Sequence, residues 1–121
     1  MQIQVNSHNG VENKESLERW ADAELRDVLS HFHSDITRVE VHLGKETSEK
    51  GAPDTRCAME ARLANHQPVA VTHHGPTQDE AFRGAAGKLK RSLESTLGRL
   101  RDHRDHNTIR KDVGLAPEAN A

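Results

Sequence analysis

Three stretches of this 121-residue chain alternate apolar and polar residues so regularly that they limit what it can fold into. In "ITRVEVHLG" (36–44), Val39, Val41 and Leu43 point one way and Arg38, Glu40 and His42 the other. "TRCAMEARL" (55–63) sets Cys57, Met59, Ala61 and Leu63 against Arg56, Ala58, Glu60 and Arg62. "QIQVN" (2–6) sets Ile3 and Val5 against Gln2, Gln4 and Asn6, and "VAVTHH" (69–74) supplies a fourth short strand. A period of two defines a strand, and a strand that is apolar on one face needs covering on that face alone. Polar turns, "SHNG", "KETSEKGAPD" and "NHQP", separate these runs.

Two segments change to a helical period. From Asn13, a candidate N-cap, "KESLERWADAELRDVLSHF" gathers Leu17, Ala21, Leu25, Val28, Leu29 and Phe32 on one arc, with Trp20 at its margin. The second helix is announced by "GPTQDEAF", where Thr77 and Glu80 have capping-box spacing and Asp79 and Glu80 suit the positive end of the helix dipole. Phe82, Ala85, Ala86, Leu89, Leu93, Leu97 and Leu100 then form a narrow apolar stripe. After Arg104 the periodicity fades, so residues 105–121 read as a disordered tail and 1–104 as the folded domain. The order β-α-β-β-β-α predicts an α+β fold, a two-layer sandwich. Its first two strands are parallel, the rest antiparallel, in a four-stranded mixed sheet with both helices on one face and the other face open and polar.

Composition narrows the function. The apolar fraction is 33% and the aromatics are Trp20, Phe32 and Phe82, so little remains to line a large ligand pocket after a core is built. There is no Gly-rich phosphate loop and no nucleophile elbow, and Cys57 sits among core-facing strand residues. No enzyme and no cofactor are expected. Nine histidines include the groups His31/His33, His73/His74 and His103/His106, but none has a metal-site pattern around it, so surface roles are expected and no metal. A single cysteine suits a reducing compartment, and no signal segment or membrane span is legible, so a cytoplasmic location is expected.

The formal charge of −2 hides a strong segregation. Residues 1–35 hold seven acids and three bases, whereas residues 79–104 hold four acids and seven bases. "KLKRSLESTLGRLRDHR" (88–104) concentrates the cations. On a helical wheel Arg83, Lys90 and Arg101 line one flank of the apolar stripe, Lys88 and Arg99 the other, and Arg91 the back. Such a rail suits nucleic-acid phosphates, each contact releasing counterions. The open sheet face carries no Phe, Tyr or Trp on which bases would stack, which favours recognition of folded RNA by shape and backbone over single-strand reading.

The segment "DEAFRGAAGKLKRSLESTLGRLRDHR", together with "LERWADAELRDVLSHFHSDITRVEVHL", resembles the ribosome hibernation-promoting factor family, also called ribosome-associated inhibitor or sigma-54 modulation proteins. The resemblance spans about residues 1–104 and lacks the dimerisation domain of the family's long forms, so the chain is similar to a short form. It implies a double-stranded-RNA-binding-domain-like fold. It also implies a non-catalytic monomer that binds the small ribosomal subunit, where mRNA and tRNA run, and silences translation under stress, with no DNA or membrane partner. Lys88 and Arg91 match basic positions of the family's second helix, and Arg99 and Arg101 its basic end. The sequence departs from the pattern at Ser95 and Leu97, where lysines are usual, and in "ELRDVL", where Glu24 and Asp27 stand in place of cations. The acidic first helix therefore leaves an alternative: the same fold reused as a protein-interaction or regulatory module.

Overall fold

The computed structural model describes residues 1–8, 14–47, 51 and 53–112; of residue 53 and residues 101–112 only the backbone is described. Its elements are β1 (Gln2–His8), α1 (Lys14–Val28), a 3-10 turn (Ser30–Phe32), β2 (Ile36–Thr47), β3 (Pro53–Leu63), β4 (Val69–Gly75) and α2 (Gln78–Asp112). The sheet order is β1-β2-β3-β4, with β1 parallel to β2 and the other pairs antiparallel. This is the expected α+β arrangement of a four-stranded mixed sheet and two helices.

Register carries the alternation of each strand across the sheet. Ile3 lies beside Val39 and Val5 beside Val41. Val41 pairs with Met59 and Leu43 with Cys57, while Met59 pairs with Val71 and Ala61 with Val69. These residues form one apolar surface, and α1 covers it over β1 while α2 covers it over β3 and β4. Val39, Val41, Leu43, Cys57, Ala61, Leu25, Leu29, Phe82, Leu89 and Leu93 are wholly shielded from solvent. At about 25 cal/mol per Å², that shared apolar face is the main favourable term holding the two layers together.

Several boundaries differ from the sequence reading. The helical pattern of 14–32 breaks after Val28, and the chain tightens so that Phe32 N–H donates to Leu29 O at 2.9 Å. The tighter winding delivers Phe32 to the core, where it is 7% exposed. β2 and β3 run further than their apolar residues, because Lys45↔Thr55, Glu46↔Asp54 and Thr47↔Pro53 continue the ladder into the polar segment. Backbone pairing does not require apolar side chains at a solvated hairpin end. Asn65 turns the β3–β4 connection with φ 61, a left-handed conformation that asparagine tolerates. The Asn13 cap lies outside the described residues. Helix α2 continues to Asp112, eight residues past Arg104, and 113–121 lie outside the described residues.

Candidate nucleic-acid interface

Helix α2 begins where the sequence places it. Glu80 N–H donates to Thr77 Oγ1 at 3.1 Å, and Ala81 N–H to Thr77 O at 3.0 Å, so the hydroxyl half of the capping box is formed. Two glycines let the helix sit close to β4. A Cβ on Gly75 would lie 2.9 Å from Ala81 N, and one on Gly84 would fall inside the His73 imidazole, 2.6 Å from Cγ. His73 is thus turned toward the helix, unlike the exposed His74 beside it.

The six candidate cations fall into distinct environments. Arg83 stands at the junction with α1, donating to Asp79 Oδ1 at 2.9 Å and to Glu24 Oε1 at 3.4 Å, with its guanidinium 5.6 Å from the Trp20 ring centre. The hydrogen bond and charge of Asp79, with a smaller contribution from Glu24, push its pKa further up. Trp20 in turn packs against Phe82, ring centres 4.8 Å apart, so this corner ties the two helices together. Lys88, on the opposite flank, donates from Nζ to Thr72 O at 2.9 Å, capping a carbonyl of β4.

Lys90, Arg91 and Arg99 differ from these two. None has a carboxylate within ion-pair distance among the described residues; Arg99 donates only to Ser95 Oγ, 2.9 Å away one helical turn back. Lys90 is half-buried, and Arg91 and Arg99 are exposed. An aliphatic stem lying along the protein with its charged end in water is the usual posture of a phosphate-binding side chain. The Arg101 side chain lies outside the described residues, although its backbone continues α2. The candidate rail therefore divides: Arg83 and Lys88 have partners within the domain, and Lys90, Arg91 and Arg99 face solvent without an acidic partner among the described residues.

The open sheet face largely neutralises itself. Arg38 pairs with Glu40 at 3.1 Å and also bonds Gln4, and Arg62 pairs with Glu60 at 3.2 Å. Its aromatic character is confined to histidine: His8 and His42 lie with ring centres 6.2 Å apart, and His74 approaches Glu46 at 3.7 Å. Sequence reasoning did not single out the His8–His42 pair, because its members are distant in the chain and meet only through the register of β1 on β2. Among the described residues no set of three or more His, Cys, Asp or Glu is placed to hold a metal ion. Cys57 is buried among core side chains, and loss of water around the thiol pushes its pKa up to about 12. No described helix is long and apolar enough to cross a membrane.

Fold and helix together describe a two-layer α+β domain that presents cations along one long helix. The chain belongs to the family described as sigma 54 modulation protein / S30EA ribosomal protein, whose family model matches residues 3–101. That family is one of ribosome-associated proteins. The fold is similar to a ribosomal subunit interface protein from Coxiella burnetii, with a TM-score of 0.67 and 12% identity over 81% of this chain and 99% of that one. It is also similar to the N-terminal domain of Protein Y from Thermus thermophilus, with a TM-score of 0.59 and 12% identity over 79% of this chain and 99% of the other. No curated protein matches the chain.

Proposed function

We propose that this chain is a non-catalytic factor that binds the small ribosomal subunit through rRNA phosphates and silences translation under stress. The observation that carries the reading is the trio Lys90, Arg91 and Arg99, cations without an acidic partner among the described residues, on the second helix of a domain of this family. Arg101 would extend the same line, and Arg83 and Lys88 would contribute chiefly by fixing the helix. Residues 1–104 act as the binding unit and 105–121 as a tail, in a cytoplasmic monomer whose polyanion is RNA rather than DNA.

Three phosphate contacts give a slope of log K against log salt of about −2.1 to −2.7, a loss of about 20- to 40-fold between 50 and 200 mM salt. Co-sedimentation with small subunits across a salt series measures this directly. Lys90→Glu with Arg91→Glu is expected to abolish pelleting at physiological salt, and Arg83→Gln to change it far less. A double variant that pellets like the parent would overturn the reading.

A second reading has its own observation. The first 35 residues carry a net charge of −4, and Glu15, Glu18 and Arg19 stand exposed on α1. That surface repels phosphate and suits a basic protein. If it is the sole working surface, the charge reversals on α2 will leave partner binding intact.

A further inference from the structure

Helix α1 has three working sides. Leu17, Ala21 and Leu25 face the core, and Trp20 and Glu24 face α2. Glu15, Glu18, Arg19 and Asp22, spaced three and four apart, line a groove of about 470 Å³ beside β1, whose floor is Ile3 and Val5. Both floor residues are only half-buried, whereas their sheet neighbours Val39 and Val41 are wholly covered.

The groove runs along a free sheet edge. β1 is the first strand of the sheet and pairs only with β2. Among the described residues no backbone hydrogen bond reaches its outer side; Arg26 donates to Met1 O at 3.1 Å, just before the strand begins. Open edges are commonly blunted by lysine, proline or an inward charge, and "QIQVNSH" contains none of these. An outer row of N–H and C=O groups, an apolar floor and a charged wall are the three parts needed to add an extended peptide as a strand.

We propose that the β1 edge and its groove bind a basic, extended protein segment that pairs with Gln2–His8 and, with the side chains it turns toward α1, lays an apolar residue over Ile3 and Val5 and sets a lysine or arginine against Glu15 and Glu18. Charge selects this occupant: three carboxylates stand in the groove wall against the one cation Arg19. Glu15 and Glu18 have no ion-pair partner among the described residues, while Asp22 is held by Arg26 at 2.6 Å. A second copy docking edge to edge would bring the same carboxylates together, and the chain's own "VGLAPEANA" (113–121) offers no cation. This surface is separate from the cations of α2, so its test stands whether or not the chain binds ribosomes.

The test is a titration of 15N-labelled full-length protein with the peptide Thr-Val-Thr-Lys-Thr-Val-Thr-Lys, whose valines and lysines share one face of a strand. The amides of Gln2–His8 and of Glu15–Asp22 should shift, and hydrogen exchange at the outward amides of β1 should slow. The same peptide with Glu in place of Lys should not bind, and N-methylation of alternate peptide bonds should weaken binding at least about tenfold by removing strand pairing. Glu15→Lys with Glu18→Lys, both at exposed positions, should also weaken it about tenfold while circular dichroism stays unchanged. The proposal is overturned by any of four results: no binding at millimolar peptide, equal binding of the Glu-substituted or N-methylated peptide, shifts confined to α2, or a protein that is already a dimer through β1.

Discussion

The contact between Gly84 and His73 decides how closely α2 lies on β4, and it can be tested by a pair of substitutions. In Gly84→Ala the added Cβ would stand 2.6 Å from His73 Cγ and closer still to Cδ2 and Nε2, so the imidazole must swing away or the helix must lift. Overpacking of this kind costs about 1–3 kcal/mol. Alanine is favoured over glycine inside a helix by up to ~1 kcal/mol, which offsets part of the loss. The single variant should therefore lose about 1 kcal/mol. In a His73→Ala background the obstruction is gone, and Gly84→Ala should stabilise by about 0.5–1 kcal/mol. The coupling between the two sites, about 1–3 kcal/mol, is the decisive quantity because it does not depend on how the single effects balance.

Urea unfolding followed by the fluorescence of Trp20, the single tryptophan, measures all four corners of this cycle with one probe. Its ring packs against Phe82, so the signal reports the junction of the two helices. Lys88 lies one turn beyond Gly84 and bonds Thr72 O, so a lifted helix should lose that contact as well. If Gly84→Ala stabilises the protein equally with and without His73, the close approach does not set the helix position and the argument fails.

Two further outcomes follow from the core and the helix start. The Cys57 thiol, held up to about 12 by burial, stays protonated in the folded state while the unfolded thiol ionises near 9. Its contribution to stability is full below that value and declines as pH rises toward 12, with a slope of about 1.4 kcal/mol per pH unit; Cys57→Ala should show a correspondingly flatter dependence in parallel urea melts. Thr77→Ala removes the side-chain acceptor of Glu80 N–H and should cost about 1 kcal/mol, whereas Thr77→Ser should cost little, both read by thermal unfolding.

The layered fold was legible because each strand is apolar on one side only. Val39, Val41 and Leu43, or Cys57, Met59 and Ala61, have one way to be buried, and a slip of one residue would turn them all to solvent. The helix start was equally legible, since Thr77 and Glu80 make a local contact whose spacing is in the sequence. The partners of the cations were less so. Asp79 is one turn before Arg83, but Glu24 is 59 residues away, and the acceptor for Lys88 is a backbone carbonyl that no side-chain pattern encodes. A helical wheel treats Arg83 and Lys90 as equivalent members of one flank. The fold separates them, because only Arg83 reaches the α1 junction.

That separation gives the gathered charge two causes. Near the start of α2, cations secure the helix: Arg83 bridges to α1 and Lys88 to the rim of the sheet. Further along, Lys90, Arg91 and Arg99 have no such duty among the described residues, so their charge is directed outward. Glu15, Glu18 and Asp22 of α1 lie beside β1, at the opposite edge of the sheet from the strands that α2 covers, while Glu24 faces α2. A polyanion attracts the α2 side and repels the α1 side, and the two forces turn the molecule the same way. With α2 toward phosphate, the β1 edge points outward and remains open to a basic segment. The two proposed surfaces are thus compatible on one molecule, and a protein partner bound at β1 would not need to displace RNA from α2.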